Sequence, residues 1–249
     1  MKLTAQVQQD IQNGALFFCS HSGGKDSQAM FNFLKSVVPA DQLIVVHAHL
    51  EGVEWAGVVE HIENTIDGKE LHVVNAVKTF MQMVERRGMW PSAAHRQCTS
   101  DLKNAPIYKF INNTMAARGA KIGYNCIGIR AQESAARSKK NPLKINKKLT
   151  GKGTKKTVYD WMPIFTWTTE DVFGFIRKNG QEAHWAYAKG MSRLSCCFCI
   201  LASKSDLQTA AKLNPEGLEE IAAMEKKIGH TMKMVKGKPM DIKTFIGVA

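Results

Sequence analysis

The feature that most restricts what this chain can fold into is residues 15–37, ALFFCSHSGGKDSQAMFNFLKSV. A short apolar, aromatic run reads as a buried strand, and Met30, Phe33, Leu34 and Val37 recur at helical spacing until Pro39 closes the helix. Between the two stand Gly23, Gly24, Lys25, Asp26 and Ser27. A strand-to-helix turn is where free backbone N–H groups and the helix dipole favour an anion. The glycines allow close approach of phosphate oxygens, Lys25 can neutralise them, and Ser27 offers a hydroxyl donor. Asp26 repels phosphate unless a divalent cation lies between, so the pattern points to a magnesium–nucleotide complex. A plain structural turn explains the glycines but not Lys-Asp-Ser. Neither the Walker spacing nor the G-x-G-x-x-G dinucleotide fingerprint is present.

Further strands are expected at residues 43–50 (LIVVHAHL), 71–75 (LHVVN) and 124–129 (YNCIGI), with an extended stretch at TVYDWMPI. Helices are expected around Trp55 to Ile66, from Pro106 to Gly119, over TTEDVFGFIRKNG with its capping signature, and over NPEGLEEIAAMEKKIG, capped by Asn214 and stopped by Gly229. This alternation predicts an α/β fold with a mostly parallel sheet covered on both faces. One boundary is expected near residue 190. It separates a nucleotide-binding domain, residues 1–190, from a cysteine-containing helical region, residues 191–249.

A chain of 249 residues buries a large core without disulfides. No apolar run reaches membrane-spanning length and the start lacks a secretory pattern, so a cytoplasmic location and no membrane partner are expected. The formal net charge of +12 is concentrated in residues 139–156, KKNPLKINKKLTGKGTKK, with eight lysines and no acid. Residues 138–157 are expected to form a mobile, self-repelling loop that either solubilises the chain or contacts nucleic acid.

Cys196 and Cys199 are spaced C-x-x-C, as for two thiolates gripping one metal centre. Cys19 and Cys126 fall in expected strands and read as core. His47 and His49 lie two apart on one strand, hence on one face. With no third ligand nearby in sequence, they are expected to line or pack against the ligand crevice.

The loop SGGKDS (Ser22 to Ser27) resembles the pyrophosphate-loop signature of the adenine-nucleotide alpha-hydrolase superfamily. CTSDLKNAP, GIRAQESAAR and RLSCCFC narrow the resemblance to its phosphoadenosine-phosphosulfate (PAPS) reductase-like branch, on the side of the DNA phosphorothioation sulfurtransferases. The resemblance runs from about residue 15 to about residue 230. It implies a Rossmann-like sheet with ATP or an adenylyl sulfate above the strand ends, phosphates held by Ser22 to Ser27, and Arg130, helped by Arg137, at the phosphate or sulfate end. Glu133 and Ser134 would shape that loop; the competing reading of Arg130 and Glu133 is a surface ion pair. Cys98 corresponds to the first cysteine of a pair that holds a [4Fe–4S] cluster in some adenylylsulfate reductases, and Thr99 replaces the second. Cys98, Cys196 and Cys199 would then hold a cubane with one iron open. Structural Zn2+, with His95 or Cys197 as fourth ligand, and a metal-free dithiol are the alternatives.

No cysteine follows Cys199 to act as a reductase nucleophile, and the loop has the form found in members that split ATP into AMP and pyrophosphate. The expected enzyme is an ATP pyrophosphatase that adenylates an acceptor before sulfur displacement. Lys25, Asp26, Arg130 and Arg137 are its candidate catalytic residues. Nucleic acid, DNA ahead of RNA, is the expected acceptor, and a cysteine desulfurase the expected sulfur donor. A sulfonucleotide reductase, a tRNA thiolase and a non-catalytic nucleotide- or nucleic-acid-binding subunit stay open.

Overall fold

Residues 16–20 alternate faces with period two, and both faces are buried, which is why LFFCS is apolar throughout. In a computed structural model describing residues 3–151, 153 and 155–248, this stretch is β1 (Leu16–Ser20) of a six-stranded sheet. The other strands are β2 (Leu43–His49), β3 (Leu71–Asn75), β4 (Ile122–Cys126), β5 (Leu143–Ile145) and β6 (Thr157–Trp161), in the order β3-β2-β1-β4-β6-β5. β1 pairs in parallel with β2 and β4, and β4 with β6, whereas β5 runs antiparallel on β6. The fold is therefore α/β, Rossmann-like and mostly parallel.

Helix α1 (Ala5–Gln12) leads into β1, α2 (Lys25–Val37) follows it, and α3 (Val58–Thr65) lies between β2 and β3. Then come α4 (Phe80–Arg87), α5 (Ala105–Ala117) and α6 (Thr169–Lys178). One sheet face carries Leu16, Phe18, Ile44, Val46 and Val158, packed with Ile107, Ile111 and Met115 of α5. The other face is aromatic. Phe17 stacks on Tyr124 with centroids 4.6 Å apart, and Trp161 meets Phe33 of α2 edge-on. Helix α2 packs against α6, and there Asn32 and Gln28 donate to Gln181 Oε1 at 2.8 and 3.1 Å.

The capping signals behave as their chemistry requires. Thr168 and Asp171 form a reciprocal capping box at α6. Asn214 caps α8 (Pro215–Ile228), which ends at left-handed Gly229 after α7 (Lys204–Leu213). The fourth strand is shifted from the expected residues 124–129: pairing with β1 begins at Leu16–Gly123, and the chain leaves the sheet after Cys126.

The lysine-rich segment corrects its expectation as a mobile loop. β5 and a single helical turn, Lys147–Thr150, lie within it; Lys152 and Thr154 fall outside the described residues. Leu149 is buried with the α5 core. Asn146 is buried as well: its Oδ1 accepts from the N–H groups of Lys148 and Leu149, and its amide donates to Asp160 at 2.8 Å and Tyr108 at 3.1 Å. Six described lysines of the segment, Lys139, Lys140, Lys144, Lys147, Lys148 and Lys155, stay exposed. The two anchors fold it despite its charge.

The chain divides into two compact units. The first holds the residues up to Ala48, Val59–Val74 and Ile107–Ala183, which is the sheet with its helices. The second assembles His49–Val58, Asn75–Pro106 and the residues from His184 onward. It contains α4, α7, α8, the hairpin of β7 (Lys233–Val235) and β8 (Lys238–Met240), and α9 (Ile242–Ile246). Glu225 of α8 ties this region together, accepting the N–H groups of Met232 at 2.7 Å and Ile242 at 2.9 Å. No helix among the described residues is long and apolar enough to cross a membrane.

Candidate active site and cysteine centre

The phosphate-type loop is built from its own residues. Gly23 turns the chain at φ +74°, a conformation that favours glycine. Gly24 precedes α2 with no side-chain cap, so the first turn keeps N–H groups for a ligand. Ser27 Oγ donates to the Gly24 carbonyl at 2.8 Å and accepts the Ser22 N–H at 3.1 Å, and the two hydroxyls lie 3.2 Å apart. Gly128, just past β4, lies so close that a Cβ there would stand 3.1 Å from the Asp26 and Ser27 backbone.

Asp26 joins the two candidate cations. One carboxylate oxygen accepts from Lys25 Nζ at 2.9 Å, the other from Arg130 Nε at 2.6 Å. Lys25 and Arg130 are both buried, so Arg130 is not a surface ion pair. Its Nη1 donates to Gln132 at 2.9 Å and the Trp167 carbonyl at 3.1 Å, and its Nη2 to Thr169 at 3.3 Å. Four of the five guanidinium N–H groups are thereby held in place. Glu133 accepts the Arg130 backbone N–H at 2.8 Å and pairs with Arg137. Arg137 is thus engaged beside the loop rather than on Asp26, and Ser134 caps the following turn.

Beneath the loop lies a residue the sequence reading did not single out. His21 is buried, and its Nδ1 accepts the Gly23 N–H at 3.1 Å. His47 Nδ1 bonds the His21 carbonyl at 2.9 Å. Burial first, then the neighbouring His47 and His61, push the His21 pKa down to about 3, so the ring is neutral and an acceptor at ordinary pH. Its position directly before SGGKDS, at the exit of an apolar strand, was the available signal. His49 instead bonds Glu54, at 2.8 Å.

In the second unit the structure brings Cys98, Cys196 and Cys199 into one electrostatic neighbourhood. Burial raises the Cys98 thiol, and Cys199 raises it further while Lys103 pulls it down. Cys196 is pushed up to about 12, by burial foremost, with the other two thiols adding and Lys103 opposing. Each of the three keeps partial exposure. Cys98 sits in a short helical turn that continues as one π-helical turn, Ser100–Asn104, carrying Lys103. Cys197 is buried, and its backbone N–H goes to the Val53 carbonyl at 2.8 Å. Cys19 and Cys126 lie buried in the sheet as expected. Three soft sulfur donors, two of them beside the Lys103 ammonium, are of the type that suits a thiophilic metal or cluster, which would bind them as thiolates and release their protons.

Residues 17–202 match the phosphoadenosine phosphosulfate reductase domain. The chain belongs to the PAPS reductase domain family. Both the SGGKDS loop and the RLSCCFC stretch lie within the matched PAPS reductase region, and β7, β8 and α9 lie beyond it. Among curated proteins the chain is similar to an uncharacterised 37.8 kDa protein of Escherichia phage 186, at 29% identity over 59% of this chain and 42% of that one. It is also similar to an uncharacterised protein of Methanocaldococcus jannaschii, at 26% identity over 85% of this chain and 48% of the other. The chain thus spans about half or less of these relatives' lengths. A solved PAPS reductase from Candida auris, a phosphate complex, aligns with a TM-score of 0.47 and 11% identity over 79% of this chain and 97% of that one.

Proposed function

We propose that the chain is an ATP pyrophosphatase that adenylates an acceptor for sulfur transfer, with DNA as the acceptor in a phosphorothioation reaction. The observation that carries this reading is the Asp26 carboxylate held between Lys25 and Arg130 at the N-terminus of α2. A bare phosphate would meet a carboxylate there; a magnesium–triphosphate meets a ligand for its metal and two cations for its oxygens. Asp26 turning to Mg2+ would free Lys25 for the β- and γ-phosphates and one Arg130 edge for the α-phosphate.

In the proposed reaction an acceptor oxygen attacks the α-phosphorus. The bond from that phosphorus to the pyrophosphate oxygen breaks, and pyrophosphate leaves as its magnesium complex. The loop N–H groups and Lys25 stabilise the charge that develops on it. Sulfide, released from a desulfurase-type persulfide donor by a dithiol reductant that becomes a disulfide, then displaces AMP, which leaves with the original acceptor oxygen. Cys98, Cys196 and Cys199 would hold a [4Fe–4S] cluster with one iron open to an incoming sulfide, or Zn2+ in its place. The lysines exposed around β5 are a sequence-independent contact for the nucleic-acid backbone.

The test is release of AMP and pyrophosphate from magnesium–ATP by anaerobically purified protein, with duplex DNA and bulk tRNA each added in turn. Stimulation by DNA is expected; stimulation by tRNA alone would replace DNA with a tRNA thiolation substrate. Cys98→Ser should remove bound iron and sulfide while sparing the fold. Membership of the PAPS reductase domain family favours a second reading, reduction of an adenylyl sulfate. Tight adenylyl sulfate binding without ATP turnover would select it, and ATP binding without turnover of either would leave a nucleotide-binding subunit.

A further inference from the structure

Lys233 opens β7, beyond the residues that match the family domain, and its side chain is buried inside the second unit. Its Nζ donates to the Ile200 carbonyl at 2.8 Å and the Ala202 carbonyl at 3.2 Å, and lies 5.4 Å from the centre of the Phe245 ring. A buried ammonium is costly unless its donors are used, and here two of them grip the turn that follows Cys199. That turn has a second bond of interest: the Leu201 N–H donates to Cys199 Sγ at 3.5 Å. The Ile200 carbonyl and the Leu201 N–H belong to one planar peptide unit and point in opposite directions from it. Lys233 therefore pulls on one end of the amide whose other end bonds the sulfur. Donation to a carbonyl polarises its amide and strengthens the N–H as a donor.

We infer that Lys233 is a positioning residue for the cysteine centre, setting the hydrogen bond and the electron density at Cys199 Sγ through the Ile200–Leu201 peptide. This rests on the reading of Cys98, Cys196 and Cys199 as a thiolate centre. It gives the C-terminal hairpin a role at that centre: partners outside a ligand set orient the ligands and tune their potential.

The test uses the full chain as wild type, Lys233→Met and Phe245→Leu. The methionine keeps the stem and removes the ammonium, whereas the leucine loosens the packing and keeps it. Amide hydrogen exchange at Leu201 in the metal-free protein should speed up at least ten-fold in Lys233→Met and stay near wild type in Phe245→Leu. After anaerobic loading with iron and sulfide, redox titration should show a lower potential in Lys233→Met alone, because loss of a positive charge favours the oxidised form. A ten-fold change in the oxidised-to-reduced ratio corresponds to ~59 mV for one electron. Unchanged Leu201 exchange, an unchanged potential in Lys233→Met, or equal shifts in Phe245→Leu would each overturn the role of Lys233. Wild type that takes up no iron would count against the cluster, and the exchange measurement would still decide the role of Lys233.

Discussion

The phosphate-type loop and the cysteine segment handle charge in opposite ways. In the loop the charges are already present and already paired, with Asp26 holding Lys25 and Arg130 at 2.9 and 2.6 Å. In the cysteine segment the charges are withheld, with burial raising the thiols of Cys98 and Cys196. A ligand of the first must exchange partners within a preformed ionic set. A ligand of the second must be a strong enough Lewis acid to draw protons off sulfur, so metal uptake there should release protons and weaken as pH falls. The same chain thus carries one region whose charges would meet an anion with its own metal and one whose thiols would meet a thiophilic cation.

The two regions should separate most clearly at Lys25. Lys25→Ala should lower pyrophosphate release about 10²–10³-fold, the usual cost of losing one preorganised charge-stabilising donor. Iron uptake at the cysteines should be unchanged, and a parallel loss of iron would show that the two regions are not separable. A smaller effect is expected from acid. The unfolded chain takes up a proton on His21 near pH 6.5 while the folded chain resists until about pH 3, so the stability associated with a neutral His21 is present above pH 6.5 and lost as pH falls toward 3. Between pH 7 and pH 4 that loss is ~3 kcal/mol. It should be absent in His21→Asn, whose side-chain oxygen replaces the Nδ1 acceptor, as followed by urea unfolding.

Much of the first unit was legible because its signals are local. Period-two and period-3.6 patterns, the Thr168 cap and the glycine loop are each contained in a short window, as is the Asn214 cap in the second unit. What was not legible depends on distance along the chain. Arg130 meets Asp26 across 104 residues, and Gly128 is required only because another backbone approaches it. The second unit draws on three separated stretches, which no composition shift marks. The lysine segment was misread because Leu149 and Asn146, which fold it, are outnumbered by lysines that point to solvent.

A smaller effect is expected at Gly128, beside the loop. Gly128→Ala should cost about 1–3 kcal/mol of stability, as small-to-large changes in packed sites do. It should also weaken ATP binding measured by calorimetry, because the added carbon presses on the Asp26 and Ser27 backbone. The smallest folding effect belongs to the exposed lysines. Replacing Lys144, Lys147 and Lys148 with glutamine should change stability by less than ~0.5 kcal/mol in total, as exposed substitutions do. If these lysines face phosphates, the salt dependence of DNA binding should flatten by about one log unit per lysine lost. An unchanged slope would remove them from the nucleic-acid contact.

β5 has a consequence for how copies of this chain behave toward one another. It is an edge strand, antiparallel on its neighbour, with its other side unpaired within the sheet. Such an edge is a template for another strand, and Ile145 on it is 52% exposed. Lys144 within the strand, and Lys147 and Lys148 just after it, place like charges where a second copy would have to align its own. The lysine segment therefore acts as a guard against sheet-to-sheet growth. Neutralising it exchanges a guarded edge for an adhesive one, even where the fold itself is untouched.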